Sequence, residues 1–185
     1  MKFAFNIEMS NQDYYEYNKF MFLKSAYSKN AILLYKVLIT VVFAAIILFA
    51  LFDGKFTAYA FISAIPAAVL MVVWLQFDKI YCAALKSAVK HMAKKGKLLY
   101  SEHSYMEFFE DYFTEVSDTE KSEKKYTAIE RISIIENKAV FIHINRAMSH
   151  MVYKKCAETD LQYAEFVEFI KTKCENVDIY KENVI

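Results

Sequence analysis

The sequence predicts a membrane α-helical hairpin of two transmembrane helices followed by a small α+β domain. Three observations carry this. Two charge-free apolar runs, residues 37–52 and 56–77, are separated only by Asp53, Gly54 and Lys55. From residue 98 the chain changes to period-two alternation with turn signals, and a helical pattern follows Thr159. The alternative, a pair of helices in a soluble core, would show polar faces along these runs, and none is visible.

Residues 1–30 form the first region, an N-terminal strand and an amphipathic helix. Residues 2–8 alternate polar and apolar, which puts Phe3, Phe5 and Ile7 on one face of a strand that needs a sheet elsewhere. Ser10 followed by Asp13 has capping-box spacing with Asp in place of Glu, and it opens an aromatic-rich helix over residues 11–29. Ser28, Lys29 and Asn30 mark a change of helix before the membrane.

Residues 31–77 form the hairpin. The second run is uncharged for twenty-two residues, roughly 33 Å of helix against a hydrocarbon core of about 30 Å. The first becomes long enough when residues 31–35 join it, with the Lys36 ammonium reaching back to the headgroups. Pro66, the only proline, lies in the second span, where it removes an amide hydrogen and invites a kink. Lys19, Lys24, Lys29 and Lys36 precede the first span, a dense set of lysines follows the second, and the turn has one. The positive-inside rule then places the chain in the cell membrane as a multi-pass protein with both termini cytoplasmic. Residues 1–30 show no cleavable signal peptide.

Residues 78–97 read as a basic juxtamembrane helix ended by Gly96. Lys79, Lys86, Lys90, Lys94 and Lys97 make a stripe suited to the anionic lipid of the inner leaflet, at about 1 kcal/mol per Lys near the surface. A solvated face that merely sets topology is the competing reading.

Residues 98–185 form a cytoplasmic strand-rich domain with a C-terminal helix. Strands are predicted over 99–109, 112–117, 132–136, 139–145 and 148–154, with residues 118–125 as a loop. The final helix, capped by Thr159 or Asp160, runs to about Cys174 with Leu161, Phe166, Phe169 and Ile170 inward. Strands closed by one helix make a small α+β domain or a partly open barrel.

The order of parts, with Phe108-Phe109-Glu110-Asp111-Tyr112-Phe113, Tyr126-Thr127-Ala128-Ile129-Glu130-Arg131-Ile132 and Phe166-Val167-Glu168-Phe169-Ile170-Lys171, resembles the YcxB-like family of bacterial membrane proteins. That resemblance implies a pleckstrin-homology-like curved sheet with a C-terminal helix at the bacterial inner membrane. The family often has Ile-Pro-Lys near the end of the last strand, where this chain reads Tyr153-Lys154-Lys155-Cys156. The family offers no catalytic residues to transfer.

Chemistry is sparse. With Gly54 and Gly96 the only glycines, Walker-type and dinucleotide-binding loops are excluded, and a net charge of +1 points to no nucleic-acid partner. Cys82, Cys156 and Cys174 are odd in number and lack metal-ligand spacing. If Arg146 and Ala147 form a two-residue turn, His143 faces His150 across a hairpin, either as half a metal site, as a pH-sensitive pair, or as two solvent-side residues. Glu102, Glu107, Glu110, Asp111 and Glu115 alternate with aromatics as a half-buried strand should. The expectation is therefore no catalytic residue, no metal and no cofactor. The chain reads as a non-catalytic membrane-anchored interaction or sensing module with an unknown protein partner. A homo-oligomeric channel or transporter accessory subunit, and a membrane enzyme using the histidines, are the alternatives.

Overall fold

The computed structural model describes residues 1–52, 56–97, 100–117, 120–145 and 148–182. The expected turns at Asp53-Gly54-Lys55 and Arg146-Ala147, and the first residue of the predicted 99–109 strand, lie outside them. The chain divides into two compact units, Met1–Tyr17 with Met92–Ile185, and Asn18–His91. Among the described residues it is an α+β protein with four α-helices and two four-stranded sheets.

The first unit is built on two sheets. β1 (Phe3–Glu8) pairs antiparallel with β2 (His103–Phe108), which continues to β3 (Tyr112–Ser117) and β4 (Lys121–Lys125). The strand at residues 2–8 thus finds its sheet about a hundred residues away, with Phe5 paired to Met106. β4 replaces part of the predicted loop at 118–125. Its sequence, Lys-Ser-Glu-Lys-Lys, has no apolar residue to reveal a period, and its lysines guard a sheet edge.

The second sheet has the order β7-β6-β5-β8, with β5 Arg131–Ile135, β6 Ala139–His143, β7 Ser149–Tyr153 and β8 Val177–Tyr180. β8 was not expected, and it joins parallel to β5 with Arg131 and Asp178 forming an ion pair. The β5–β6 hairpin turns at Asn137, which takes the left-handed conformation (φ 56°) that Asn tolerates.

The core lies between the sheets and is closed by a helix, α4 (Asp160–Lys171), numbered last in chain order. Thr159 caps it, its hydroxyl accepting from the Gln162 amide at 3.1 Å. The helix ends at Lys171 rather than Cys174. Its inward residues are Tyr163, Phe166 and Ile170. Leu161, expected inside, is 68% exposed because it sits on the first turn, off that face. Phe166 touches Phe3, Phe5 and Phe108 at 5.7, 4.8 and 4.7 Å between ring centroids.

β6 is buried on both faces. One face meets the core through Val140 and Ile142, and the other is covered from the start of α1 (Asn11–Leu23). Tyr17 stands edge-on to Phe141 at 5.2 Å, and the Tyr153 hydroxyl donates to the Asp13 carbonyl at 2.9 Å. The capping box forms as the sequence suggests. The Ser10 amide donates to Asp13 Oδ2 at 2.8 Å, and the Asp13 amide donates to Ser10 Oγ at 3.2 Å.

In the second unit, α1 stops at Leu23 and α2 (Ala26–Phe52) begins after Lys24-Ser25, earlier than the expected change at residues 28–30. Ser25 explains the shift: its hydroxyl donates to the Met21 carbonyl at 2.5 Å, a back-bond that bends helices. Phe22 stacks on Tyr81 at 3.7 Å. That partner lies on α3 (Phe56–Lys94), a single helix of 39 residues. The stretch Ala68–Lys94 is long and apolar enough to cross a membrane and is exposed along its apolar window, while α2 carries a shorter apolar stretch, Ile32–Ala45.

Candidate functional site

The period of two in a strand decides the fate of the two histidines. β6 and β7 pair His143 with Ser149 and Ile142 with His150, so the directly opposed histidine pair does not form. Ile144 donates to Met148 with three residues between, one more than a two-residue turn allows. That single residue of slip sends the two imidazoles to opposite faces of the sheet. Neither is on the solvent side: His143 is fully buried and His150 is 7% exposed.

His143 lies on the outer face with Ser133 and Ser149. Its Nδ1 is 2.7 Å from the Ser149 hydroxyl and its Nε2 2.9 Å from that of Ser133. Each hydroxyl can donate or accept, so a neutral ring is satisfied at both nitrogens. Burial, reinforced by the Arg131 charge and opposed by Asp178, pulls its pKa down to about 4. His143 is therefore a neutral packing residue at physiological pH.

His150 lies on the inner face and reaches across the gap to the other sheet. Its Nδ1 donates to Glu115 Oε2 at 2.5 Å, and the Ser104 hydroxyl donates to Glu115 Oε1 at 2.9 Å. Burial would raise the Glu115 pKa, but the hydrogen bond and charge of His150, with the Ser104 bond, outweigh it and hold the carboxyl below its ordinary value. Phe113 stands edge-on to the imidazole at 5.0 Å. His150 Nε2 is buried and has no hydrogen-bond partner among the described residues. Leaving a buried ring nitrogen unpaired costs about 1–3 kcal/mol.

This bridge forms part of the wall of a cavity of about 280 Å³ between the sheets, lined by residues that include Ser104, Glu115, Ser122, Lys124 and His150. Ser122 pairs with Glu115 and Lys124 with Phe113 across β3 and β4, so the edge strand turns a hydroxyl and an ammonium toward the core side. The lining is mixed: Ile7, Met9 and Met151 supply apolar surface, and serine hydroxyls, Lys124 and the Glu115 and Glu120 carboxylates supply the polar groups.

No family model, curated protein or solved structure matches the chain. The chemistry of the site is therefore read from its own atoms. Among the described residues no group of three His, Cys, Asp or Glu could hold a metal ion. Burial raises the pKa of the Cys156 thiol, away from the thiolate a nucleophile needs.

The basic stripe takes a simpler form. Lys79, Lys86, Lys90 and Lys94 recur at helical spacing on one exposed side of α3, and Lys97 follows the helix end. Gly96 ends the helix with φ 60°: its amide donates to Ala93 and the Lys97 amide to Met92, the paired bonds of a Schellman cap.

The Glu115–His150 bridge had no signal in the sequence. Glu115 is one of several alternating carboxylates, and only the face-to-face placement of β3 and β7 selects it. The serines around His143 carry no sequence signal either, because Ser133 is a single small polar residue among three isoleucines of β5.

Proposed function

We propose that this chain is a non-catalytic, membrane-anchored interaction or sensing module. In this reading α2 and α3 cross the bilayer as a hairpin, both termini are cytoplasmic, and the two-sheet unit is held at the inner leaflet. One observation carries the reading: a unit with a complete core of its own coexists with helices whose apolar side chains are exposed, which water would not tolerate and a bilayer would cover. Two sheets closed by a helix support the pleckstrin-homology-like expectation. β8, which follows the closing helix, is an addition to that pattern. The cavity between the sheets, with its mixed lining, is the natural place for a small ligand, and the exposed stripe on α3 faces the anionic leaflet.

The test is in-cell crosslinking of a tagged chain expressed at native level, followed by extraction and mass spectrometry. A heterologous partner that disappears when residues 98–185 are deleted supports the reading. Self-crosslinks alone, retained without those residues, overturn it in favour of an oligomeric membrane component. As a companion measurement, residues 1–17 joined by a flexible linker to residues 92–185 should fold without lipid, because β1 and the start of α1 are then supplied to the sheets they complete.

A further inference from the structure

We propose that the helical unit binds one anionic phospholipid at a defined place, with an acyl chain in the groove between α2 and α3 and the phosphate on Lys36. The inference rests on the membrane reading above and adds a ligand to it. The groove has a volume of about 200 Å³ and is lined by Ile39, Thr40 and Phe43 from α2 and Leu70, Met71 and Trp74 from α3. Thr40 donates its hydroxyl to the Lys36 carbonyl at 2.8 Å, which leaves the Trp74 indole N–H as the one side-chain donor in an otherwise apolar lining. Its contents must be hydrocarbon.

The mouth of the groove is different. Lys36 Nζ stands over the Trp74 ring, 5.6 Å from its centroid. Lys36 precedes Ile39 and Thr40 by about one turn, so cation and aromatic ring mark one end of the groove. From there to Phe43 is about 10 Å of helix axis, enough for the first segment of an acyl chain. Among the described residues no carboxylate pairs with Lys36; the ring holds the ammonium through its quadrupole and leaves its charge uncompensated. A molecule that fits must therefore join an anion to a hydrocarbon chain at interfacial depth, where Trp is favoured. An anionic phospholipid does so; a second copy of the chain, whose Asp78 lies one turn beyond Trp74, would instead leave the two brominated lipids undistinguished in the test below. The surrounding surface is exposed and apolar, with Leu38, Val41, Val42, Val69, Val72 and Leu75 all solvent-facing, as a lipid-covered surface would be.

Trp74 is the only tryptophan, so its fluorescence reports on this groove alone. The full chain is reconstituted into phosphatidylcholine bilayers containing increasing fractions of acyl-brominated phosphatidylglycerol or acyl-brominated phosphatidylcholine. Brominated phosphatidylglycerol should quench Trp74 with a roughly fivefold preference over brominated phosphatidylcholine. Lys36→Gln should abolish the preference, Lys36→Arg should keep it, and Lys90→Gln, on the basic stripe, should leave it unchanged. Equal quenching by the two lipids in the natural chain, or a preference that survives Lys36→Gln, overturns the site and leaves the membrane reading standing. No quenching by either lipid shows that Trp74 does not meet hydrocarbon, and it overturns the membrane reading together with the site.

Discussion

Acidification from pH 7 to pH 5 should weaken the sheet that carries His143, with a sign set by where the proton prefers to be. The imidazole has its pKa pulled down to about 4 in the folded chain, from an ordinary value of 6.5. The unfolded chain therefore binds the proton more readily at every pH between those values. The stabilisation is complete above pH 6.5 and is lost as pH falls toward 4. At 1.36 kcal/mol per unit, the loss between pH 6.5 and 5 is about 2 kcal/mol. The depressed carboxylates Asp13, Glu16 and Glu115 do not confuse this window. Their contribution is present above their unfolded values and is lost only as pH falls below those values. The assay has two arms. NMR titration of the 15N-labelled imidazoles, with the His143 signal assigned by its absence in His143→Gln, should find that ring still neutral at pH 5. Denaturant unfolding of the detergent-solubilised chain should show the loss between pH 6.5 and 5 in the natural chain and a smaller one in His143→Gln. A His143 ring that titrates near 6.5, or a variant with an undiminished pH slope, refutes the reasoning.

Phe166→Ala removes the ring shared by Phe3, Phe5 and Phe108 and should cost about 3–5 kcal/mol in denaturant unfolding, with the α4 amides losing exchange protection first. Glu115→Gln keeps the shape of the inter-sheet bridge but removes its charge, and should lower stability by about 1.5–3 kcal/mol at pH 7; an unchanged unfolding midpoint would show that His150 finds another partner. Ser10→Ala strips the N-terminal cap of α1 and should cost about 1 kcal/mol, read as faster hydrogen exchange in its first turn. 

The sequence by itself determined what local periodicity can express. Two long apolar runs specify helices whose faces need an apolar cover, and residues 2–8 place Phe3, Phe5 and Ile7 on one face whatever sheet receives them. The Ser10–Asp13 box and the stop at Gly96 are likewise decided by chemistry within a few residues, and both formed where they were read. The Lys24-Ser25 break was legible in principle, since a serine can bond back to a carbonyl four residues earlier, but Ser28 offers the same chemistry and only the surrounding packing chose between them.

Tertiary structure alone decided the rest. β4 has no apolar residue, so its strand exists because β3 offers a ladder, and β8 is too short to announce itself without β5 beside it. The histidines show the limit most plainly. One extra residue in the β6–β7 connection sends His143 outward to two serines and His150 inward to Glu115, because side chains alternate with period two and a slip of one exchanges the faces. The partner of His150 lies thirty-five residues away on the other sheet. No local pattern encodes that meeting, since it depends on how two independently formed sheets close over a shared core.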